Sequence, residues 1–153
     1  MLQAGDRAPA FALQDMSGKS QNLTEILARG PAVLVLFKIS CPVCQMTLPY
    51  LNRLGKASLQ VIAISQDDAN GTARFQRNFG VTLPTLLDRE QNGYAASNGF
   101  GISHVPSLFM VEQDGTISLA SEGFVKRDLE MIGKRSGIDP FGPGDNVPAW
   151  KAG

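Results

Sequence analysis

Residues 32–37, Ala-Val-Leu-Val-Leu-Phe, carry an apolar side chain at every position. Successive side chains of a strand point to opposite faces, so a run with no polar residue needs cover on both. Such a run suits the central strand of a sheet with helices on each side. Immediately after it, beyond Lys38-Ile39-Ser40, come the chain's only two cysteines, Cys41 and Cys44. Any fold for this chain must therefore place two sulfurs at the end of a buried strand.

The flanking pattern alternates strands and helices. Residues 8–13 read as a short strand or extended arm, ended by Asp15–Gly18. Residues 23–28 read as a helix capped by Asn22, and Gly30-Pro31 breaks the chain before the buried run. A helix is expected over 43–56, a strand over 59–65, and a helix started by Asp67 and Asp68 that carries Phe75 and Phe79 and stops at Gly80. A brief strand at 85–87 and a weak helix at 91–100 follow. Strands at 108–112 and 116–120 flank the turn Gln113-Asp114-Gly115, and a last helix covers 126–134. Early alternation argues for parallel crossovers and the hairpin for an antiparallel edge, which gives a mixed α/β sheet. From Gly137 the chain becomes rich in Pro and Gly and reads as an irregular surface segment anchored by Trp150.

With 153 residues, 43 % of them hydrophobic and 18 % charged, the chain reads as one ordinary globular domain. Lys and Arg equal Asp and Glu at 14 each, so no net charge draws it toward nucleic acid or anionic lipid. The longest apolar run, 31–37, is too short to span a bilayer, so no membrane segment is expected. The opening residues lack the basic start, apolar stretch and cleavage site of an export signal. A native start at Met1 implies a cytoplasmic protein; a signal trimmed from ahead of it implies a periplasmic one.

Two cysteines side by side do not staple a fold; they are chemistry or half of a metal site. At a strand-to-helix junction, Cys41 would stand among the unpaired N–H groups of the helix start, which favour thiolate. Pro42 suits the first helical position, and Cys44 lies one turn on, on the same side. A thiolate at Cys41 can attack a disulfide and Cys44 can resolve the mixed disulfide. Zinc needs four ligands and only His104 adds to the pair, so no metal and no cofactor is expected. Pro49 would remove a hydrogen bond and bend the helix.

These pieces together resemble thioredoxin-fold proteins of the TlpA/ResA-like and AhpC/TSA-like group. The resemblance covers roughly residues 5–137. It runs through the arm Gly5-Asp-Arg-Ala-Pro-Ala-Phe-Ala-Leu13, the redox motif from Phe37 to Pro49, the stretch Gly101-Ile-Ser-His-Val-Pro-Ser107, and the turn at Asp114-Gly115. It implies a thioredoxin-like three-layer α/β fold, a central mixed sheet with helices on both faces, over 1–137, with 138–153 as a tail. It implies a thiol-disulfide oxidoreductase with catalytic Cys41, Cys44 and Pro106, the last in a cis peptide bond. Pro42, Val43, His104 and Val105 are the implied substrate-binding residues, with the Val105 backbone pairing an extended substrate strand. The implied partners are a protein or small-molecule disulfide and a recycling thiol reductant or oxidant.

The chain also departs from that group. Ser40 stands where thioredoxins place Trp, Val35 where they place a buried Asp, and Thr47 where ResA-like proteins place Glu. The customary proton acceptor for Cys44 is thus missing at both places. Lys38 reads as a solvated lysine at a strand end and His104 as a residue of the site's rim; Phe75 and Phe79 read as core. A peroxiredoxin-like peroxidase is the alternative reading. It lacks the hydroxyl expected three residues before the reactive cysteine, where this chain has Lys38, and the upstream proline, where it has Leu34. A Sco-like copper protein is less favoured, because its cysteines are one residue further apart.

Overall fold

The computed structural model describes residues 1–56 and 58–153. The buried run forms strand β3 (Ala32–Phe37), with β1 (Ala12–Asp15) and β2 (Ser20–Asn22) before it and helix α1 (Leu23–Ala28) leading into it. Then follow α2 (Pro42–Leu54), β4 (Gln60–Ser65), α3 (Ala69–Phe79), β5 (Thr85–Leu87), α4 (Ala95–Phe100), β6 (Ser107–Val111), β7 (Ile117–Glu122), β8 (Phe124–Val125), α5 (Lys126–Ser136) and β9 (Trp150–Lys151). Among the described residues seven strands form one sheet in the order β2-β1-β5-β4-β3-β6-β7. β3, β4 and β5 run parallel, and β6, β7, β1 and β2 join antiparallel. The mixed sheet with helices on both faces is the architecture the sequence led us to expect.

No side chain of β3 is more than 1 % exposed. Val33, Val35 and Phe37 face one core with Cys44, Leu48 and Leu51 of α2, Phe75 of α3 and Leu129 of α5. Ala32, Leu34 and Leu36 face the other, with Leu23 and Ile26 of α1 and Phe100 of α4. Phe75 is a core residue, as read, and Phe79 is partly buried against that core: Phe75 packs between Phe37 (centroids 5.0 Å apart) and Phe79 (4.9 Å).

Helix starts follow their cap residues. Asn22 Oδ1 accepts from the Glu25 N–H at 2.8 Å, and Asp68 Oδ1 from the Gly71 N–H at 2.7 Å. The expected helix at 91–100 is cut in two. A 3₁₀ turn, Glu90–Asn92, is followed by Gly93 and Tyr94 at φ +65° and +48°, left-handed values that no helix continues through. Strand β2 was not anticipated, because Ser20-Gln-Asn22 has no apolar alternation. It pairs with β1 around a turn in which Asp15 Oδ1 accepts from the Ser17 and Lys19 N–H groups and the Ser17 hydroxyl. Those bonds hold the Asp15 carboxyl down at about 2.

Tyr94 gives α4 no side-chain cap, and Asp88 supplies one from outside the helix. Its fully buried carboxylate accepts from the Ala96 N–H (3.0 Å), the Ser97 N–H (2.8 Å) and the Ser97 hydroxyl (2.6 Å). Asp88→Ala would leave two buried N–H groups unpaired and is expected to cost about 3 kcal/mol of stability by urea denaturation. A loss of about 0.5 kcal/mol or less, the ordinary effect of a surface change, would contradict this role.

Candidate active site

α2 begins where β3 ends, and Cys41 is its N-cap, in extended conformation at φ −85°, ψ 116°. Its Sγ accepts the Cys44 N–H at 3.1 Å, so a free donor of the helix start points at sulfur. The same thiol donates to the Val105 carbonyl at 3.5 Å. Pro42 takes the first helical position, where no N–H is needed.

The turn that carries Cys41 is tied from two sides. Asp67 Oδ2 accepts the Ile39 N–H at 2.8 Å, and the Gln45 amide donates to the Ile39 carbonyl at 3.0 Å. The sequence pointed to Asp67 and Asp68 as a joint helix start. Only Asp68 caps α3, which frees Asp67 to hold the cysteine turn.

Both cysteines are free thiols, but their surroundings differ. Cys41 is partly exposed and Cys44 is fully buried in the core. Burial, first, and then the hydrogen bond with Cys41 push the Cys44 thiol far above the usual range. The negative charge of Asp67 adds to this, and the Lys38 backbone pulls the other way. Cys44 is therefore held protonated beneath Cys41. Thr47 is buried too, and its hydroxyl donates to the Val43 carbonyl at 2.6 Å, so it is engaged within its own helix.

A cavity of about 400 Å³ opens over Cys41, lined by Lys38, Pro42, Gln66, His104, Val105 and Gly153 among others. Of the residues expected at the site, it thus gathers Cys41, Pro42, His104 and Val105. Pro106 lies directly behind, and the Val105–Pro106 peptide bond is cis. Val43 is not at the surface: it is 8 % exposed and packs in the core beside Cys44. The reason is helical spacing, which sets Val43 on the stripe of Thr47, Leu51 and Leu54. The His104 ring turns to its neighbours on the rim, with Nδ1 2.5 Å from Glu122 Oε1 and 3.0 Å from Ser103 Oγ. Lys38 is exposed, as a strand-end lysine should be. No cluster of three or more His, Cys, Asp or Glu side chains gathers among the described residues.

The tail read as irregular is so only up to Ala149. Trp150–Lys151 then pair antiparallel with Phe124–Val125, and the Lys126 N–H donates to the Ala149 carbonyl at 3.0 Å. Trp150 does not anchor it by burial, since 62 % of the residue is exposed. Phe141 and Val147 pack against the core instead.

Residues 4–120 match the AhpC/TSA family. The chain belongs to that family. Thiol-disulfide oxidoreductase ResA of Geobacillus thermodenitrificans is 26 % identical over 141 residues, 86 % of this chain and 79 % of that protein. The protein named "Putative peroxiredoxin Rv2521", of Mycobacterium tuberculosis, is 32 % identical over 134 residues, 78 % of this chain and 84 % of its own length. In fold, the thioredoxin domain of a thiol-disulfide oxidoreductase from Bacteroides vulgatus superposes with a TM-score of 0.77 at 18 % identity. That match covers 89 % of this chain and 99 % of the domain. Family, thioredoxin-like fold and the Cys-x-x-Cys pair make this chain a thiol-disulfide oxidoreductase.

The contrast in burial fixes which thiol reagents reach. Brief exposure of the folded, reduced chain to iodoacetamide at neutral pH is expected to modify Cys41 and spare Cys44, as peptide mass mapping would show. Modification of Cys44 first would contradict it.

Proposed function

We propose that Cys41 is the attacking thiol and Cys44 the resolving thiol of a dithiol–disulfide exchange. The observation that carries this is the pairing itself. A partly exposed sulfur takes an N–H from the residue that bears the second, buried sulfur. Attack needs an accessible sulfur with a partner for negative charge, and resolution needs a second sulfur that outside disulfides cannot reach first.

The Cys41 thiolate attacks one sulfur of a disulfide R–S–S–R′. A Cys41–S–S–R bond forms, and R′–S⁻ departs and takes up a proton. Cys44 then gives its proton to water and attacks Cys41 Sγ. The Cys41–Cys44 disulfide forms and R–S⁻ leaves. Two electrons have passed from the protein dithiol to the substrate. A recycling thiol reductant restores the dithiol; with an oxidant in its place, the same steps run backward and oxidise a substrate dithiol.

Around this exchange we assign Val105, with Pro106 in cis behind it, as the backbone against which a substrate is laid. Its carbonyl already faces Cys41 Sγ. Pro42 and His104 form the exposed rim. Substrates are protein or small-molecule disulfides, and the residues present require no cofactor for this chemistry.

The relative named as a peroxiredoxin supports a second reading, peroxide reduction at Cys41. Against it stands the exposed Lys38, which occupies the place of the expected hydroxyl and lines the cavity.

The exchange is tested with single variants. Cys41→Ser is expected to abolish disulfide reduction, and Cys44→Ser to accumulate a stable mixed disulfide with its substrate, seen as an added mass that reductant removes. Full turnover by Cys44→Ser, or trapping by Cys41→Ser instead, would reverse the assignment.

A further inference from the structure

The end of the described chain returns to the site. β9 lies along β8, and beyond it residues 152–153 run toward Val105. Gly153 packs so closely on the Val105 carbonyl that a side-chain carbon placed on it would overlap the carbonyl oxygen, and would sit 3.4 Å from Pro106 Cδ. Earlier along the same path the segment crosses Gly123, whose φ is +76° and whose N–H donates to the Pro106 carbonyl at 2.8 Å. A side-chain carbon on Gly123 would overlap the Lys151 carbonyl and approach the Gly153 nitrogen to 3.2 Å. At both points the absence of a side chain permits the close approach of the segment to the body of the protein.

The Val105 carbonyl therefore has two neighbours at once, the Cys41 thiol at 3.5 Å and Gly153. Gly153 also forms one wall of the cavity over Cys41. An extended polypeptide added to a backbone edge gains its affinity from main-chain hydrogen bonds and needs that edge free. A small disulfide needs only a path to Cys41 Sγ, and a cavity of about 400 Å³ is of small-ligand size.

We propose that residues 150–153 are a specificity-determining strap. Docked, they deny the Val105 edge to an extended polypeptide and leave Cys41 open to small disulfides. Displaced, they admit polypeptide disulfides. This rests on the exchange reading of the Cys41–Cys44 pair. The strap is held by little besides its backbone: Trp150 and Lys151 are both exposed, and the core contacts of the tail are made upstream by Phe141 and Val147. Those properties suit a segment that leaves and returns.

The test compares the full chain with a variant ending at Ala149, which keeps Phe141 and Val147, and with Gly153→Val, which keeps the strap's length but drives it off the Val105 carbonyl. Thermal unfolding followed by circular dichroism verifies that each variant is folded. Each reduced protein is mixed with oxidised glutathione and, separately, with a disulfide-linked extended peptide of about ten residues, and the thiols released are timed. Both variants are expected to react with the peptide about tenfold faster than the full chain, the gain for a strap docked about nine-tenths of the time. Gly153 lines the cavity, so the deciding quantity is the ratio of the two rates, peptide to glutathione disulfide, which should rise about fivefold or more in both variants. Unchanged peptide rates, or equal changes with both substrates, would overturn the strap. If no form reacted with either disulfide, the exchange reading itself would fall and the strap with it.

Discussion

Six consecutive side chains of β3 are shut off from water on both faces of the sheet, and the site follows from this. A strand so enclosed needs helices above and below, and the chain leaves this cover only at the C-terminal end of β3, between β4 and β6. There the chain turns into α2, and an N–H of its first turn points at the sulfur of its N-cap, Cys41. The odd-numbered side of β3 continues into the core face of α2, where Cys44 sits against it. One buried strand thus places both the sulfur that reacts and the sulfur that waits.

The chemistry lies in the inequality of the two thiols more than in their spacing. Cys41 faces a cavity and has an N–H donor at its sulfur; Cys44 is sealed beneath it, and burial keeps it protonated. A pair with both sulfurs exposed would offer an incoming disulfide either one. Here order is imposed by packing. The ties of Asp67 and Gln45 to Ile39 keep the turn in register with the helix, so that Cys41 Sγ stays between the Cys44 N–H and the Val105 carbonyl.

What could be read in the sequence was local. The all-apolar run, the Asn22 and Asp68 caps and the hairpin at Asp114-Gly115 each depend on neighbours within a few residues, and each forms where it was expected. What was missed depends on distant partners. Ser20-Gln-Asn22 is polar and becomes a strand only because β1 lies beside it. Asp88 caps a helix seven residues further on through the fold's geometry. Val43, expected among the substrate-binding residues, is the exception with a local cause, since the stripe of its own helix turns it inward. The strap was invisible because its two paired residues are exposed and its docking leaves only the glycines at 123 and 153 as a mark in the sequence.

Proteins similar to this chain include both a named thiol-disulfide oxidoreductase and one named as a peroxiredoxin, so the kind of oxidant that Cys41 prefers decides the account. Fully reduced protein should be oxidised by hydrogen peroxide and by a small disulfide in the same stopped-flow session, with quenched mass spectrometry as the readout if Trp150 fluorescence does not change. The account predicts fast formation of the Cys41–Cys44 disulfide with the disulfide and slow reaction with peroxide. Much faster oxidation by peroxide would contradict it and make this chain a peroxidase with Lys38 in place of the usual hydroxyl.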